Sequence, residues 1–191
     1  MTRRTVLVRH GMPEVDSQVP SAEWRLSAQG RQDALALSER LRDFSFSRVL
    51  SSPEPKALDT ANVIAEALHL PVKVDGAFAE HARRSVGFLP AIEFQQGISR
   101  LFSVPDELVF GSETADAAHE RFAGAIGRQL SRDGEADGIV VSHGTVISLF
   151  ISRMVACDPF VLWKEFEMST AIVLTDGTFS RLTATSVNRR R

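Results

Sequence analysis

The fold is decided by the stretch VLVRHGMPE, residues 6–14, in which an apolar run stops at a polar triplet. The run Val6-Leu7-Val8 is typical of a short buried strand, and we predict a strand over Thr5–Arg9. At the carboxyl end of a parallel strand, Arg9-His10-Gly11 would lie in the crevice where α/β sheets bind their ligands. Arginine offers a fork for an oxyanion, and histidine a ring nitrogen that can attack or transfer a proton. Glycine permits a close backbone approach.

A second stretch, VVSHGTVIS at residues 140–148, repeats this arrangement. We predict a strand over Gly138–Ser142 and a helix over Thr145–Val155, with His143-Gly144 between them. His143 would then lie beside the first N–H groups of a helix, which favour an anion. The two strand-end histidines indicate one shared site.

A third stretch, SSPEPKALDTA at residues 51–61, follows a short apolar run. The run Arg48–Leu50, with the following serine, predicts a strand. Ser52 is a candidate N-cap, and Pro53 would take the first helical position, where its missing N–H costs little. Apolar residues then recur at helical spacing to about His69, before Pro71.

The remaining patterns alternate between strands and helices. Ser27 is a candidate N-cap for an amphipathic helix over residues 28–43. Further helices are predicted over Ala91–Phe102 and from Ser112 to about Arg132. Strands are predicted over Val72–Val74, and over Ala171–Thr175 and Phe179–Thr185, the last two joined by a turn at Asp176-Gly177.

This alternation predicts an α/β fold, a three-layer sandwich with a mostly parallel central sheet and helices on both faces. The chain length of 191 residues suits one domain over residues 1–191. The irregular middle segment, residues 76–112, is expected to be a small cap inserted at one end of the sheet.

The strand-RHG element, the strand-His-Gly element and the Ser-Ser helix opening together resemble the signature of the histidine phosphatase superfamily, also called the phosphoglycerate mutase-like family. The resemblance runs from about Thr5 to Ser148. It implies that His10 becomes phosphorylated during turnover. Arg9, Lys56 and His143 would hold the phosphate oxygens and offset their charge.

Lys56 and Glu80 occupy two further positions of the family pattern. Lys56 stands where the family has a second phosphate-binding arginine; it keeps the charge but loses the planar fork. Glu80 has the place of the family's glutamate that protonates the leaving oxygen, so we expect His10, Glu80 and His143 to be catalytic. The residues that follow Glu80, HARRSVG at residues 81–87, differ from the acidic, Gly-Trp-containing run usual in the family. Arg83 or Arg84 in this stretch could supply the cation that Lys56 supplies less well.

The composition sets further limits. The formal net charge of −2 gives no global basic character for nucleic-acid binding, and no apolar stretch approaches transmembrane length. The single cysteine, Cys157, cannot form an intrachain disulfide, and its apolar neighbours favour a core or helix-end position. No secretory leader is recognisable, so we expect a cytoplasmic protein. The resemblance implies a homodimer.

We therefore expect a phosphomonoester hydrolase that acts on a small phosphorylated metabolite through phosphohistidine, with no cofactor and no metal. Family mutases generally have a longer central insertion and a C-terminal tail over the site. This chain has only a modest middle segment and ends soon after its predicted final hairpin. We therefore favour the phosphatase over a phosphoglycerate mutase-type phosphotransferase. A phosphoryl-ligand binding protein with weak or lost turnover is a further alternative, given Lys56. A metal-dependent hydrolase using His10, His143 and an acid is another, although no metal-ligand spacing supports it.

Overall fold

The structure is a computed structural model that describes residues 4–130, 137–175 and 178–181. The described strands are β1 (Arg4–Arg9), β2 (Phe46–Ser51), β3 (Val72–Val74), β4 (Asp137–Ser142), β5 (Ala171–Thr175) and β6 (Thr178–Arg181). They form one sheet in the order β3-β2-β4-β1-β5-β6. The first four strands pair in parallel, whereas β5 runs antiparallel to β1 and β6 antiparallel to β5. The mostly parallel sheet predicted from the sequence is confirmed.

The described helices cover both faces of this sheet. They are α1 (Ala28–Leu41), α2 (Pro55–Leu68), α3 (Ala91–Ser103), α4 (Ala115–Leu130), α5 (Gly144–Val155) and α6 (Pro159–Glu165). Alternate side chains of β1 point to opposite faces: Val6 and Val8 join a core formed with α1 and α2, and Leu7 joins a core formed with α3 to α6. Because both faces are buried, the central strands carry uninterrupted apolar runs, Val6–Val8 in β1 and Ile139–Val141 in β4. The three-layer α/β sandwich is confirmed.

Strand order explains why distant parts of the chain meet. The strands β1 and β4 are neighbours, with Arg9 opposite Ser142 in the ladder. Their parallel pairing continues one residue further, since the His10 N–H donates to the Ser142 carbonyl at 2.9 Å. His10 and His143 therefore leave the same edge of the sheet side by side.

Two helix starts are later than the sequence patterns predict. The second helix begins at Pro55 with Glu54 as its N-cap, not at Pro53 after Ser52, so that prediction was wrong by two residues. Pro53 and Pro55 are equally suited to the first turn of a helix, so the sequence pattern does not distinguish the two starts. The helix predicted from Ser112 begins at Ala115. Ser27 is confirmed as the N-cap of α1, since its hydroxyl accepts the Gly30 N–H at 3.0 Å.

The helix α6 is absent from the sequence-based assignment, although its start signals are present. Asp158 caps it by accepting the N–H groups of Phe160 and Val161, and Pro159 takes the first position. Its seven residues are too few for a periodic pattern to stand out. The turn at Asp176-Gly177 and residues 182–185 lie outside the described residues. Cys157 is exposed just beyond α5, at a helix end and not in the core.

The middle segment contributes to the core as well as to the site. Residues Ile98 and Leu101 of α3 are fully buried in the core that α4 and α5 share. Whether residues 76–112 form an inserted cap stays a prediction. Among the described residues, no helix combines the length and the hydropathy of a transmembrane segment.

Candidate active site

His10 is held as a neutral imidazole at the end of β1. Its Nδ1 lies 2.8 Å from the carbonyl of Gly11, and as an N–H it donates to that oxygen. This contact leaves Nε2 as the nitrogen that can attack an electrophile. Burial lowers the pKa of His10 well below its ordinary value, and the nearby His143 and Lys56 lower it further. A nucleophilic imidazole must be unprotonated, so this environment suits nucleophilic catalysis.

The position of Gly11 shows why the triplet ends in glycine. A Cβ there would lie 2.8 Å from the backbone oxygen of Gly30 in α1, closer than real side chains come. The Gly11 N–H donates to the Thr60 hydroxyl at 3.0 Å, and Thr60 in turn donates to the Lys56 carbonyl. The close approach predicted for Gly11 is therefore present, and Thr60 ties the triplet to α2.

His143 lies behind His10, with the two ring centroids 5.1 Å apart. It is fully buried, and its Nε2 is 2.7 Å from the Ser52 hydroxyl oxygen. With Ser52 donating to Nε2, the one proton of a neutral imidazole lies on Nδ1, which is left as a buried donor without a partner among the described residues. Burial, followed by the charge of Lys56, lowers the pKa of His143 well below its ordinary value.

Arginine side chains add positive charge on the same side of the sheet. Arg9 donates through Nη1 to the Phe166 carbonyl, and burial lowers its pKa. Arg83 pairs with Glu80 at 3.1 Å and lies over the rings of Phe94 and Phe110. Arg84, the other candidate, is exposed. Of the two arginines considered as substitutes for the missing family arginine, the structure brings Arg83 to the site.

Several buried nitrogens around His10 lack partners. Among the residues that the structure describes, Arg9 Nε, Arg83 Nε and His143 Nδ1 are buried without a hydrogen bond. Orphaned donors are costly unless something accepts from them. The hydrogen-bonding capacity of the positive groups around His10 is therefore not fully used within the described protein.

Lys56 reaches the same place from the first turn of α2. It is 5% exposed, and its Nζ donates to the Ser21 carbonyl at 2.7 Å and to Glu54 Oε2 at 2.6 Å. A lysine in a first helical turn is disfavoured by the helix dipole, and the Glu54 carboxylate offsets that cost. The structure therefore places Lys56 at the site, but in an ion pair.

Glu54 was missed by the sequence analysis. Besides Lys56, its carboxylate accepts the Glu80 N–H at 2.9 Å, and its Oε1 lies 3.5 Å from His143 Nε2. With the helix start placed at Pro53, Glu54 would be an ordinary first-turn acid. Its place just before Pro55 and two residues from Lys56 was the available signal.

Glu80 lies across the N-terminus of α5. Its Oε2 accepts the Thr145 N–H at 3.2 Å and its Oε1 the His81 N–H at 2.9 Å, while Arg83 pairs with it. Burial raises the pKa of the Glu80 carboxyl, but Arg83, His143 and the N–H donors outweigh burial, so the pKa lies well below its ordinary value. Glu80 is therefore ionised before any ligand binds.

A second ion pair supports the loop that carries Glu80. Arg121 binds both carboxylate oxygens of Glu113 at 2.9 Å. The same guanidinium donates to the carbonyls of Ala77, Ala79 and Glu80. Because one rigid fork joins α4 to three carbonyls between Ala77 and Glu80, Glu80 is held in place from behind.

A cavity of about 370 Å³ opens over this group. Its charged and histidine lining consists of Arg9, His10, Lys56, Glu80 and Arg83. His143 lies behind this lining and not on it. The rest of the lining is mostly apolar and includes Val15, Trp24, Val86, Phe88, Leu89, Phe94, Phe110, Trp163 and Met168. Phe78, although it lies close to Glu80 in the sequence, does not line the cavity, because its side chain is fully buried in the core.

The metal alternative lacks a ligand set in this arrangement. Within residues 4–130, 137–175 and 178–181, no group of three or more His, Cys, Asp or Glu side chains is placed to hold a metal ion. His69 ends α2, and His119 lies on α4 beside Phe150, both away from His10. His81 is buried, with its Nε2 2.6 Å from the Glu113 carbonyl.

Known proteins resemble this chain along most of its length. A phosphatase of Bacillus subtilis (strain 168), described as uncharacterized phosphatase PhoE, is 27% identical over 156 residues, which cover 80% of this chain and 78% of that protein. The probable phosphoglycerate mutase GpmB of Salmonella paratyphi A is 24% identical over 158 residues, covering 78% and 73%.

A solved structure shares the fold. A phosphoserine phosphatase mutant from Entamoeba histolytica, in complex with phosphoserine, superposes with a TM-score of 0.74 at 17% identity, covering 97% of this chain and 98% of that one. At this identity the likeness concerns the fold alone.

The family model for the histidine phosphatase superfamily (branch 1) matches residues 5–185. The matched range spans both strand-end histidines, the Ser-Ser helix opening and Glu80. The chain therefore belongs to the histidine phosphatase superfamily, branch 1, and is a phosphatase of that superfamily.

Proposed function

We propose that this enzyme hydrolyses small phosphorylated metabolites through a covalent phosphate on His10. One observation carries the proposal: His10 is neutral, fixed through Nδ1 by the Gly11 carbonyl, and lies on the cavity beside Arg9 and Lys56. A dianionic phosphate needs a nucleophile without charge and cations around its oxygens.

The first step transfers phosphorus to His10. Nε2 attacks in line with the leaving oxygen, a P–N bond forms and the P–O bond to the alcohol breaks. Arg9, Lys56 and the Nδ1 of His143 stabilise the equatorial oxygens, and His143 acts from its buried position behind His10. In the second step water attacks phospho-His10, which releases inorganic phosphate and restores the neutral imidazole.

Glu80 is proposed as the acid and then the base of these steps. It would protonate the departing alcohol oxygen and later take a proton from the attacking water. An ionised carboxylate must first gain a proton. A phosphate dianion bound beside it raises its pKa, and Arg83 can turn from Glu80 towards the phosphate. Proton uptake by Glu80 would then accompany substrate binding.

The main alternative within the superfamily is a mutase, since one relative is described as a probable phosphoglycerate mutase. A mutase must hold a sugar acid by its carboxylate as well as by its phosphate. Among the described lining residues, Lys56 and Arg83 are each paired with a glutamate. Hydrolysis needs no second anion site, so the lining favours the phosphatase.

The test is a panel of phosphomonoesters assayed for inorganic phosphate, with 3-phosphoglycerate assayed in parallel for isomerisation. We expect release of phosphate from several esters and no isomerisation. Isomerisation without release would establish the mutase, and phosphate binding without turnover would establish a binding protein. Loss of activity in a chelator would establish the metal-dependent alternative.

Two further expectations belong with this proposal. We place the enzyme in the cytoplasm, because its single cysteine, Cys157, is exposed and free.

The homodimer that the family resemblance implies stays a prediction, which sedimentation velocity would test.

A further inference from the structure

We infer that the alcohol part of the substrate is apolar and carries no second anionic group. This inference rests on the proposed phosphatase function and concerns the half of the substrate that leaves. It starts from an asymmetry of the cavity, whose charged side chains surround His10 and whose remaining lining is mostly apolar.

The charges of the lining are already used. Lys56 is 2.6 Å from Glu54 and Arg83 is 3.1 Å from Glu80, with all four side chains largely buried. Arg9, which lies next to His10, is the described lining cation without a carboxylate partner, and the phosphate would use it. In the proposed mechanism the same phosphate also draws on Lys56 and, once Glu80 takes up its proton, on Arg83. A carboxylate or second phosphate on the substrate would therefore meet no free cation on the described wall, and burying an unpaired charge is costly.

Aromatic side chains build an apolar wall that adjoins the charged group. Phe94 contacts Phe110 and Trp163, with centroids 6.2 Å and 5.9 Å away. The Arg83 guanidinium lies 5.1 Å from the Phe94 ring centroid, so the wall begins where the charged group ends. Trp24 faces the same cavity, and its indole N–H already donates to the Asp16 carbonyl. The wall therefore offers contact area and few hydrogen-bond groups.

Apolar side chains also remain exposed at this cavity. Phe88 is 51% exposed and Val15 is 56% exposed, and both line it. Exposed apolar groups that adjoin a concave site mark places where a ligand covers them. A cavity of about 370 Å³ has room for an alkyl or aryl group as well as a phosphate.

The first experiment compares ethyl, butyl and hexyl phosphate, whose alkoxide leaving groups are alike. Each fully buried methylene should raise kcat/KM about fourfold, so burial of only two of the four additional methylenes of hexyl phosphate makes it exceed ethyl phosphate by at least about tenfold. It should also exceed 3-phosphoglycerate. Equal values along the series, or a preference for 3-phosphoglycerate, would overturn the inference while the phosphatase function stood.

A binding experiment keeps the inference testable without turnover. Calorimetry with ethylphosphonate and hexylphosphonate, which lack the scissile P–O–C bond, should give at least about tenfold tighter binding for the hexyl compound. If hexylphosphonate binds in this way and no ester is hydrolysed, the phosphatase function fails and the apolar site stands. Equal affinities would contradict the apolar site.

A matched pair of variants locates the effect. Phe88→Ser should narrow the hexyl-to-ethyl ratio of kcat/KM by at least about threefold, because it removes apolar area from the cavity. Ile92→Ser is the control: Ile92 is 73% exposed on the same segment but does not line the cavity. An unchanged ratio in Phe88→Ser, or an equal change in both variants, would contradict the assignment of the wall.

Discussion

Two largely buried carboxylates set the charge that the His10 cavity presents to a ligand. Glu54 neutralises Lys56, and Glu80 neutralises Arg83, while both histidines are neutral. Arg9 then supplies the net positive charge beside His10. Phosphate must either share the paired cations or displace a carboxylate, which makes these pairs the main determinants of affinity.

Lys56→Ala tests whether Lys56, which stands where the family has an arginine, binds the phosphate. The loss of a charge-assisted contact should lower kcat/KM for a phosphomonoester at fixed salt by roughly thirty- to a hundred-and-fifty-fold, on the order of 2–3 kcal/mol. Lys73→Ala removes an exposed lysine of β3 and should change nothing. Wild-type kcat/KM in Lys56→Ala would show that Lys56 is structural and make Arg83 the next cation to test.

The stability of the same variant needs separate measurement. Lys56→Ala leaves Glu54 buried without its cation, which destabilises a protein by several kcal/mol. The double variant Glu54→Gln, Lys56→Ala removes the unpaired charge and keeps a side-chain oxygen for the Glu80 N–H, so it should recover most of the free energy of unfolding and stay slow. Recovery of both stability and activity would mean that the loss came from folding alone.

Glu80→Gln tests the proposed acid, since glutamine keeps the shape but donates no carboxyl proton. General acid catalysis contributes about a hundred- to ten-thousand-fold, mostly where the leaving group is poor. Turnover of hexyl phosphate should therefore fall at least tenfold more than that of p-nitrophenyl phosphate. The p-nitrophenyl ester also reports any damage from unpairing Arg83. Equal losses on both esters would remove Glu80 from the acid role.

At this scale the sequence predicted the residues that follow strand ends. Arg9, His10 and His143 could be placed because an apolar run stops at each of them, and parallel strands bring their ends together. Glu54 could not be placed, because its role depends on a helix start shifted by two residues and on a contact with Glu80, which is 26 residues away. Such contacts leave no periodic trace in a sequence.

Among the elements, the start of α5 contributes most to the geometry of the site. Its first residue, Gly144, lets Arg9 and Trp163 pack directly on the backbone. A Cβ at Gly144 would lie 3.0 Å from Arg9 Cζ, 3.1 Å from Arg9 Nε and 3.3 Å from Trp163 Nε1. Arg9 would have to shift by a few tenths of an ångström, away from its place beside His10.

Gly144→Ala should therefore reduce activity without unfolding the protein. We expect kcat/KM to fall about tenfold, because sub-ångström misplacement of a phosphate-binding group is costly. Gly127→Ala in α4 is the control, since a Cβ there meets nothing within 4 Å. The control should gain about 0.5–1 kcal/mol of stability and keep full activity. Unchanged kcat/KM in Gly144→Ala would show that the position of Arg9 is not critical.

Prediction of the elements succeeded where periodicity was long or a run was fully apolar. The strands around His10 and His143 and the helix α1 were predicted within a few residues. The helix α6 was not, because a Pro-capped helix of seven residues resembles a turn in a sequence. This helix matters functionally, since Trp163 on it completes the aromatic wall of the cavity.

For the whole molecule, buried neutral histidines couple stability to pH. The pKa values of His10 and His143 lie well below the ordinary value because of burial first and nearby cations second. The unfolded chain takes up protons on these histidines near pH 6.5, whereas the folded protein does not. Unfolding is therefore favoured as the pH falls, and stability rises with pH through this window.

The expected size is about 1.4 kcal/mol per histidine between about pH 7.5 and about pH 5.5, or about 2–3 kcal/mol for the pair. The pKa of Glu80 is shifted down from the carboxylate range, so its contribution is lost only below this window. Urea titrations at both pH values measure the change. The pKa values of His81 and His119 are also lowered by burial, so they add to the dependence in the same direction. His10→Asn should therefore reduce the change by about 1.4 kcal/mol, the share of one histidine, and an unchanged dependence would contradict a buried neutral His10.

The most direct measurement of the central claim is the identity of the phosphorylated residue. The enzyme is mixed with a phosphomonoester, quenched in alkali within milliseconds, and analysed by peptide mass spectrometry. We predict phosphate on the His10 side chain, stable in base and labile in acid, absent in an inactive His10→Ala and present in a fully active His69→Asn. No phosphoenzyme, phosphate on another residue, or near wild-type turnover by His10→Ala would contradict nucleophilic catalysis by His10.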